Sequence, residues 1–272
     1  MKTLASILVH LDSSSHAAKR MQVARQLADA FDAETTVQYA VVSALQQYAA
    51  SLRGGGQAVP IMEELDRARR AKAHRIFEAH AAGAPRLSWG EQLPSAPDGF
   101  MQRAFYADLL VLGQRDPDDT QGEDVPTDFV PDVMAATGKP TLLVPHAGPA
   151  TEVGGTVLIA WKENREAARA VSAALPWLMR AKRVHALAYG DDAEFALVRL
   201  AGYLKHHGID PVLHADRDTG DVGERLLSRA ADLNGQLLVM GCYHHSRLRE
   251  LLLGGSTRTL LERMTLPVLM AH

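Results

Sequence analysis

The chain is written twice. Ile7-Leu8-Val9-His10-Leu11-Asp12 opens the first half, and Ser13-Ser14-Ser15 leads into an amphipathic stretch reaching about Phe31. Val157-Leu158-Ile159-Ala160-Trp161-Lys162 opens the second, followed by Asn164 as an N-cap and by Ala167, Val171, Leu175 and Leu178 at helical spacing. Asp108-Leu109-Leu110-Val111-Leu112-Gly113 has its counterpart in Gln236-Leu237-Leu238-Val239-Met240-Gly241. Each half closes on a proline-led strand, Lys139-Pro140-Thr141-Leu142-Leu143-Val144 and Leu266-Pro267-Val268-Leu269-Met270. The residues match weakly, but the order of elements agrees, and that order decides the architecture.

Each half reads as alternating strand and helix with five strands, those of the second half near 157–161, 183–189, 211–216, 236–241 and 266–271. Asp221-Val222-Gly223-Glu224 has the form of a capping box for the third helix of that half. Short strands that are apolar on both faces require a parallel sheet covered on both sides, and right-handed crossovers make each half doubly wound. The expected fold class is therefore α/β, two tandem doubly wound domains over 1–147 and 155–272, each a five-stranded parallel sheet with helices on both faces. The linker between them, 146–155, carries Gly148, Pro149, Gly154 and Gly155. Segments 51–60 and 114–126 read as loops, the second rich in carboxylates, and in the charged helix expected over 61–83 the stripe Ile61, Leu65, Ala68 is expected to face the core. Ligands of such folds bind at the carboxyl ends of strands, where the strand order reverses. Asp12, Lys162, Gly113 and Gly241 stand at those ends.

A formal charge of -3 over 272 residues gives no electrostatic reason to expect nucleic acid or an acidic membrane as partner. The single cysteine, Cys242, excludes an intrachain disulfide and suits a reducing compartment, and the first apolar stretch is too short for a signal peptide. A cytoplasmic protein is expected. The pairs His206-His207 and His244-His245 lack the spacing of a metal site, so no metal is expected, and Cys242 is expected to be a packing residue. Neither a nucleophile elbow nor any other catalytic constellation stands out.

The stretch Gly241-Cys242-Tyr243-His244-His245-Ser246-Arg247, followed by Gly254-Gly255-Ser256-Thr257, ends a strand and opens a helix. Backbone N–H groups at such a helix start favour a bound anion. An equally simple reading is that Gly254-Gly255 only turns the chain into its last helix. The stretch resembles the nucleotide loop of the universal stress protein family, Gly-x2-Gly-x9-Gly-Ser/Thr, and the chain as a whole resembles the family's tandem form. The resemblance implies an adenine nucleotide alpha hydrolase-like fold and a stress-response regulator binding ATP, with Mg2+, in the second domain. Gly241 and Gly254 match the pattern by position. Gly255 takes the Ser/Thr slot with Ser256 and Thr257 after it, and His245, Ser246 and Arg247 supply further polar contacts. The chain departs from the pattern at His244, where the second glycine belongs, and at Lys162, where the first-strand aspartate belongs.

In the first domain Asp12 keeps that aspartate, but Gly113 is followed by Gln114-Arg115-Asp116-Pro117-Asp118-Asp119 with no Gly-Ser/Thr turn. That site is expected to be degenerate, its carboxylates repelling a triphosphate. The resemblance further implies weak ATP hydrolysis at most, pairing between domains through the final strand, Pro267 to Ala271, and a homo-oligomer of tandem chains, with protein partners left unknown. Two other readings remain open: an interaction scaffold that binds no nucleotide, and a slow ATPase.

Overall fold

A computed structural model describes residues 4–48, 58–93, 96–148, 152–218, 220–242 and 255–272. The chain divides into two compact units, Met1–Thr137 and Gly138–His272.

The first unit contains β1 (Ser6–Leu11), α1 (Ala17–Phe31), β2 (Glu34–Tyr39), α2 (Ala44–Gln47), α3 (Val59–Ala81), β3 (Leu87–Trp89), α4 (Ala96–Ala104), β4 (Leu109–Gly113) and α5 (Phe129–Thr137). Its strands lie in the order β3-β2-β1-β4, and the β3–β2, β2–β1 and β1–β4 pairs are all parallel. β1 and β4 are almost wholly buried, as apolar runs covered on both faces must be. The order reverses between β1 and β4, which places the binding crevice of such a sheet at their carboxyl ends, near Asp12 and Gly113.

The second unit contains β5 (Thr141–Val144), β6 (Thr156–Ala160), α6 (Arg165–Leu178), β7 (Arg183–Tyr189), α7 (Ala193–Lys205), β8 (Val212–Asp216), α8 (Val222–Asp232), β9 (Leu237–Gly241), α9 (Gly255–Arg263) and β10 (Val268–Ala271). The strand order is β5-β10-β9-β6-β7-β8. All pairs are parallel except β5 with β10, where Leu143 lies opposite Val268 and Thr141 opposite Met270. The strand that closes the first half of the sequence thus pairs with the final strand inside the second unit. The expected caps form: Asn164 Oδ1 accepts from Ala167 N at 2.8 Å, and Asp221 Oδ1 accepts from Glu224 N at 3.1 Å.

The inward face of α3 differs from the expected one. Ile61 is 72% exposed, and Leu65 and Ala68 are also exposed. The helix turns Met62, Asp66, Arg69, Ala73 and Phe77 inward instead, a stripe at helical spacing that mixes apolar and charged residues. The cause lies beneath the helix, where Asp66 caps the start of α2 (Ala44 N to Oδ1, 2.8 Å) and Arg69 faces a buried carboxylate. An apolar stripe would leave both groups without partners.

Candidate functional site

In the second unit, Gly241 ends β9 beside Ala271 of β10. A Cβ on Gly241 would lie 2.4 Å from Ala167 N and 2.6 Å from the Glu166 carbonyl carbon. The glycine therefore lets the first turn of α6 close onto the strand end, a packing role that the sequence pattern alone assigns to a ligand. Both obstacles are backbone, so G241A is expected to push α6 off β9 and to cost about 1–3 kcal/mol in urea unfolding. An unchanged stability would show that this approach is not tight.

Glu166 sits in that first turn, 3% exposed, with its Oε1 2.8 Å from Arg165 Nη2. Cys242 is buried, and both its N–H and its thiol donate to Ala271 O, at 3.0 and 3.4 Å. Burial, then the Glu166 charge, pushes the thiol pKa well above its ordinary value, so Cys242 packs as a neutral group. Lys162 follows β6 and is exposed.

Gly255 opens α9, and no described residue lies within 4 Å of where its side chain would stand; Ser256 is half-buried and Thr257 is buried. The start of α9 is held against α8 by Gly223, where a Cβ would meet Thr259 Cβ at 2.6 Å and Ser256 Cα at 3.1 Å. His244, His245, Ser246, Arg247 and Gly254 lie outside the described residues.

The first unit fills its own crevice. Asp12 and Arg20 form an ion pair at 2.6 Å, their side chains 6% and 5% exposed. Asp12 Oδ1 also accepts from Ser14 N (3.0 Å) and Ser14 Oγ (2.6 Å). Burial opposes the Asp12 charge, but Arg20, His10 and Ser14 outweigh it and hold the pKa well below the carboxylate range. The Arg20 guanidinium lies against Gly113, with Nη1 2.4 Å from the place of a Cβ. Gly113 is needed here for the chain's own arginine.

The acidic segment after β4 completes the closure. Asp119 accepts from Ser15 N and Oγ at 2.7 and 2.8 Å, and Asp116 meets His16 Nε2 at 2.7 Å. Lys72 Nζ donates to Ser13 O at 2.7 Å and to Gln121 Oε1, while Gln47 donates to Glu123 O at 2.9 Å. The Asp119 carboxylate thus takes the N–H and hydroxyl of Ser15, two residues ahead of α1.

Four residues of this unit escape a motif reading. Arg20 stands on the buried face of α1 among Ala17, Met21, Ala24 and Leu27, and that misplaced charge, with Asp12 ahead of it, is the signal that reveals the pair. Asp124 has a side chain with no exposed surface, its Oδ2 is 3.8 Å from Arg69 Nε, and among the described residues no other residue donates a hydrogen bond to its carboxylate. Burial raises its pKa to about 6 against the pull of Arg69. Tyr39, at the end of β2, has an equally unpartnered hydroxyl, and burial followed by the Asp124 charge raises its pKa. His10 is buried between Phe100 and Phe129, its Nε2 2.7 Å from Ala40 O, and burial lowers its pKa to about 4.

No helix among the described residues is long and apolar enough to cross a membrane. The chain is similar over 99% of its length to a universal stress protein from Archaeoglobus fulgidus DSM 4304, with 98% of that chain covered, a TM-score of 0.73 and 14% identity. A functionally unknown protein from Pseudomonas aeruginosa PAO1 matches 98% of this chain and 92% of its own, with a TM-score of 0.57 and 17% identity. Likeness at such identity establishes the shared fold. No curated protein matches the sequence. The model of the universal stress protein family matches residues 160–272, from the end of β6 through the strand-end glycine to the last residue. Over that segment the chain is similar to the universal stress protein family, and over its whole length it shares the mixed α/β fold of the solved universal stress protein it matches.

Proposed function

We propose that this protein is a stress-response regulator that binds ATP or a related adenine nucleotide through its second unit alone. The observation that carries this reading is the asymmetry between the halves. The carboxyl-end crevice of the first unit is filled by Arg20 and the segment around Asp119, whereas among the described residues nothing lies within 4 Å of where a side chain on Gly255 would stand at the opening of α9. The phosphates would be held by backbone N–H groups at the start of α9, with Ser256 and Thr257 as hydroxyl donors. His244, His245, Ser246, Arg247 and Gly254 belong to the same proposed loop, with Gly241 at its base and Lys162 as a cation at the end of β6. Mg2+ would accompany the nucleotide and offset the Glu166 charge, which lies beside Gly241. The role is sensing: binding changes a surface that a protein partner reads. We place this activity in the cytoplasm, without catalysis as its purpose. The free edge of β10 is taken by β5, so self-association of chains would use another surface.

Calorimetric titration with MgATP tests the proposal. One nucleotide per chain is expected, and S256A/T257A should weaken binding by about a hundredfold, the worth of two charge-assisted hydrogen bonds. Absence of binding at millimolar nucleotide overturns it, as does binding indifferent to S256A/T257A. That result would leave the nucleotide-independent scaffold, the reading favoured by the Glu166 carboxylate at the strand end.

A further inference from the structure

β7 and β8 lie side by side at one end of the second unit's sheet, with His185 opposite Val212 and His214 opposite Leu187. Both histidines stand on the same sheet face, as diagonal neighbours on adjacent strands. His185 Nδ1 and His214 Nε2 are 3.0 Å apart, with ring centroids separated by 5.2 Å and planes inclined by 40°. Two ring nitrogens at this distance share one hydrogen, so one of them presents a lone pair to the other. His185 is 7% exposed and His214 is half-buried, so packing sets the rings while solvent still reaches the pair. The proposed nucleotide site uses neither residue.

We propose that His185 and His214 form a two-imidazole clip for a divalent transition-metal ion, with Cu2+ the best fit. Metal–imidazole bonds of about 2.0–2.1 Å across the 3.0 Å separation subtend an angle of about 90–100° at the ion. This is the cis angle of a tetragonal site, which suits Cu2+ and Ni2+ better than tetrahedral zinc, and Cu2+ heads the affinity series for nitrogen ligands. A turn of each ring about χ2 directs both lone pairs at one point. The shared hydrogen passes to the donating ring's other nitrogen, so both rings coordinate as neutral imidazoles and water fills the remaining positions. Arg183, at the start of β7, and Arg229 of α8 are the nearby charges that act on these rings, and both oppose a cation. Further along the face, Arg225 is engaged by Asp216 and Asp218. The site is therefore of moderate affinity, and its strength depends on Arg183.

The untagged chain titrated with Cu2+ near neutral pH tests the clip. The expected electron paramagnetic resonance spectrum shows two equivalent nitrogen ligands on one bound ion. H185N/H214N should bind one Cu2+ fewer per chain, H206A/H207A should bind as many as the wild type, and R183Q should tighten the site at least several-fold. Equal stoichiometry in H185N/H214N overturns the proposal, as does loss of the ion in H206A/H207A. The spectrum and the R183Q measurement need no histidine variant to fold, and a spectrum without two imidazole nitrogens, or no change in R183Q, is equally fatal.

Discussion

R20A is expected to destabilise the first unit by about 3–5 kcal/mol, the cost of removing one partner from a buried ion pair. Asp12, 4% exposed in the intact protein, would keep only the Ser14 N–H and hydroxyl to support its charge. Arg20 is the largest of the influences that hold the Asp12 pKa down, so without it burial raises that pKa, and the loss should shrink as the pH falls and the carboxylate takes up a proton. At roughly 2–4 °C per kcal/mol for a unit of this size, the first unit's transition should move down by about 10 °C or more. The penalty belongs to the orphaned charge and not to a gain from the pair, so D12L/R20L, which fills the same space with apolar groups, should recover most of it. A loss under 1 kcal/mol in R20A would mean that water reaches Asp12 and that the crevice is open. The filled-crevice account of the first unit, and the choice of the second unit for nucleotide, would then fall together.

The fold was legible where the physics is local. Continuous apolar runs such as Ile7–Leu11 and Leu237–Gly241 announce strands covered on both faces, and Asn164 and Asp221 announce helix starts through their own side-chain chemistry. What depends on distant partners was not. The antiparallel pairing of β5 with β10 joins residues more than a hundred positions apart, and nothing in Thr141–Val144 reveals which edge it will meet. The stripe of α3 was misread because hydrophobic periodicity presumes an apolar floor, and the floor here contains Asp124 and the Tyr39 hydroxyl. In the candidate site, the sequence identified the strand-end glycines Gly113 and Gly241 but not what approaches them. The approaching groups are the chain's own Arg20 and first turn of α6.

Asp124 and His10 should give the first unit two opposite pH dependences that D124N separates. Asp124 has a folded pKa of about 6, above its unfolded value of 3.8, so it contributes stability that is complete below pH 3.8 and lost as the pH rises through 6. His10 has a folded pKa of about 4, below its unfolded value of 6.5, so its contribution is complete above pH 6.5 and lost as the pH falls toward 4. Each shift is worth about 3 kcal/mol at 1.36 kcal/mol per pH unit, and the two windows overlap almost entirely. In the wild type the contributions nearly cancel between pH 4 and 6.5. In D124N the buried charge is gone and the His10 term stands alone. The stability of D124N relative to the wild type should therefore rise by about 3 kcal/mol between pH 4 and pH 7.5. Its absolute gain at pH 7.5 should be smaller, about 1–2 kcal/mol, because the asparagine amide inherits an unpartnered position. Urea unfolding at the two pH values gives the comparison directly. Parallel pH profiles for wild type and D124N would show that the carboxylate is already ionised and solvated in the folded protein, and the buried cluster beneath α3 would then have to be wet.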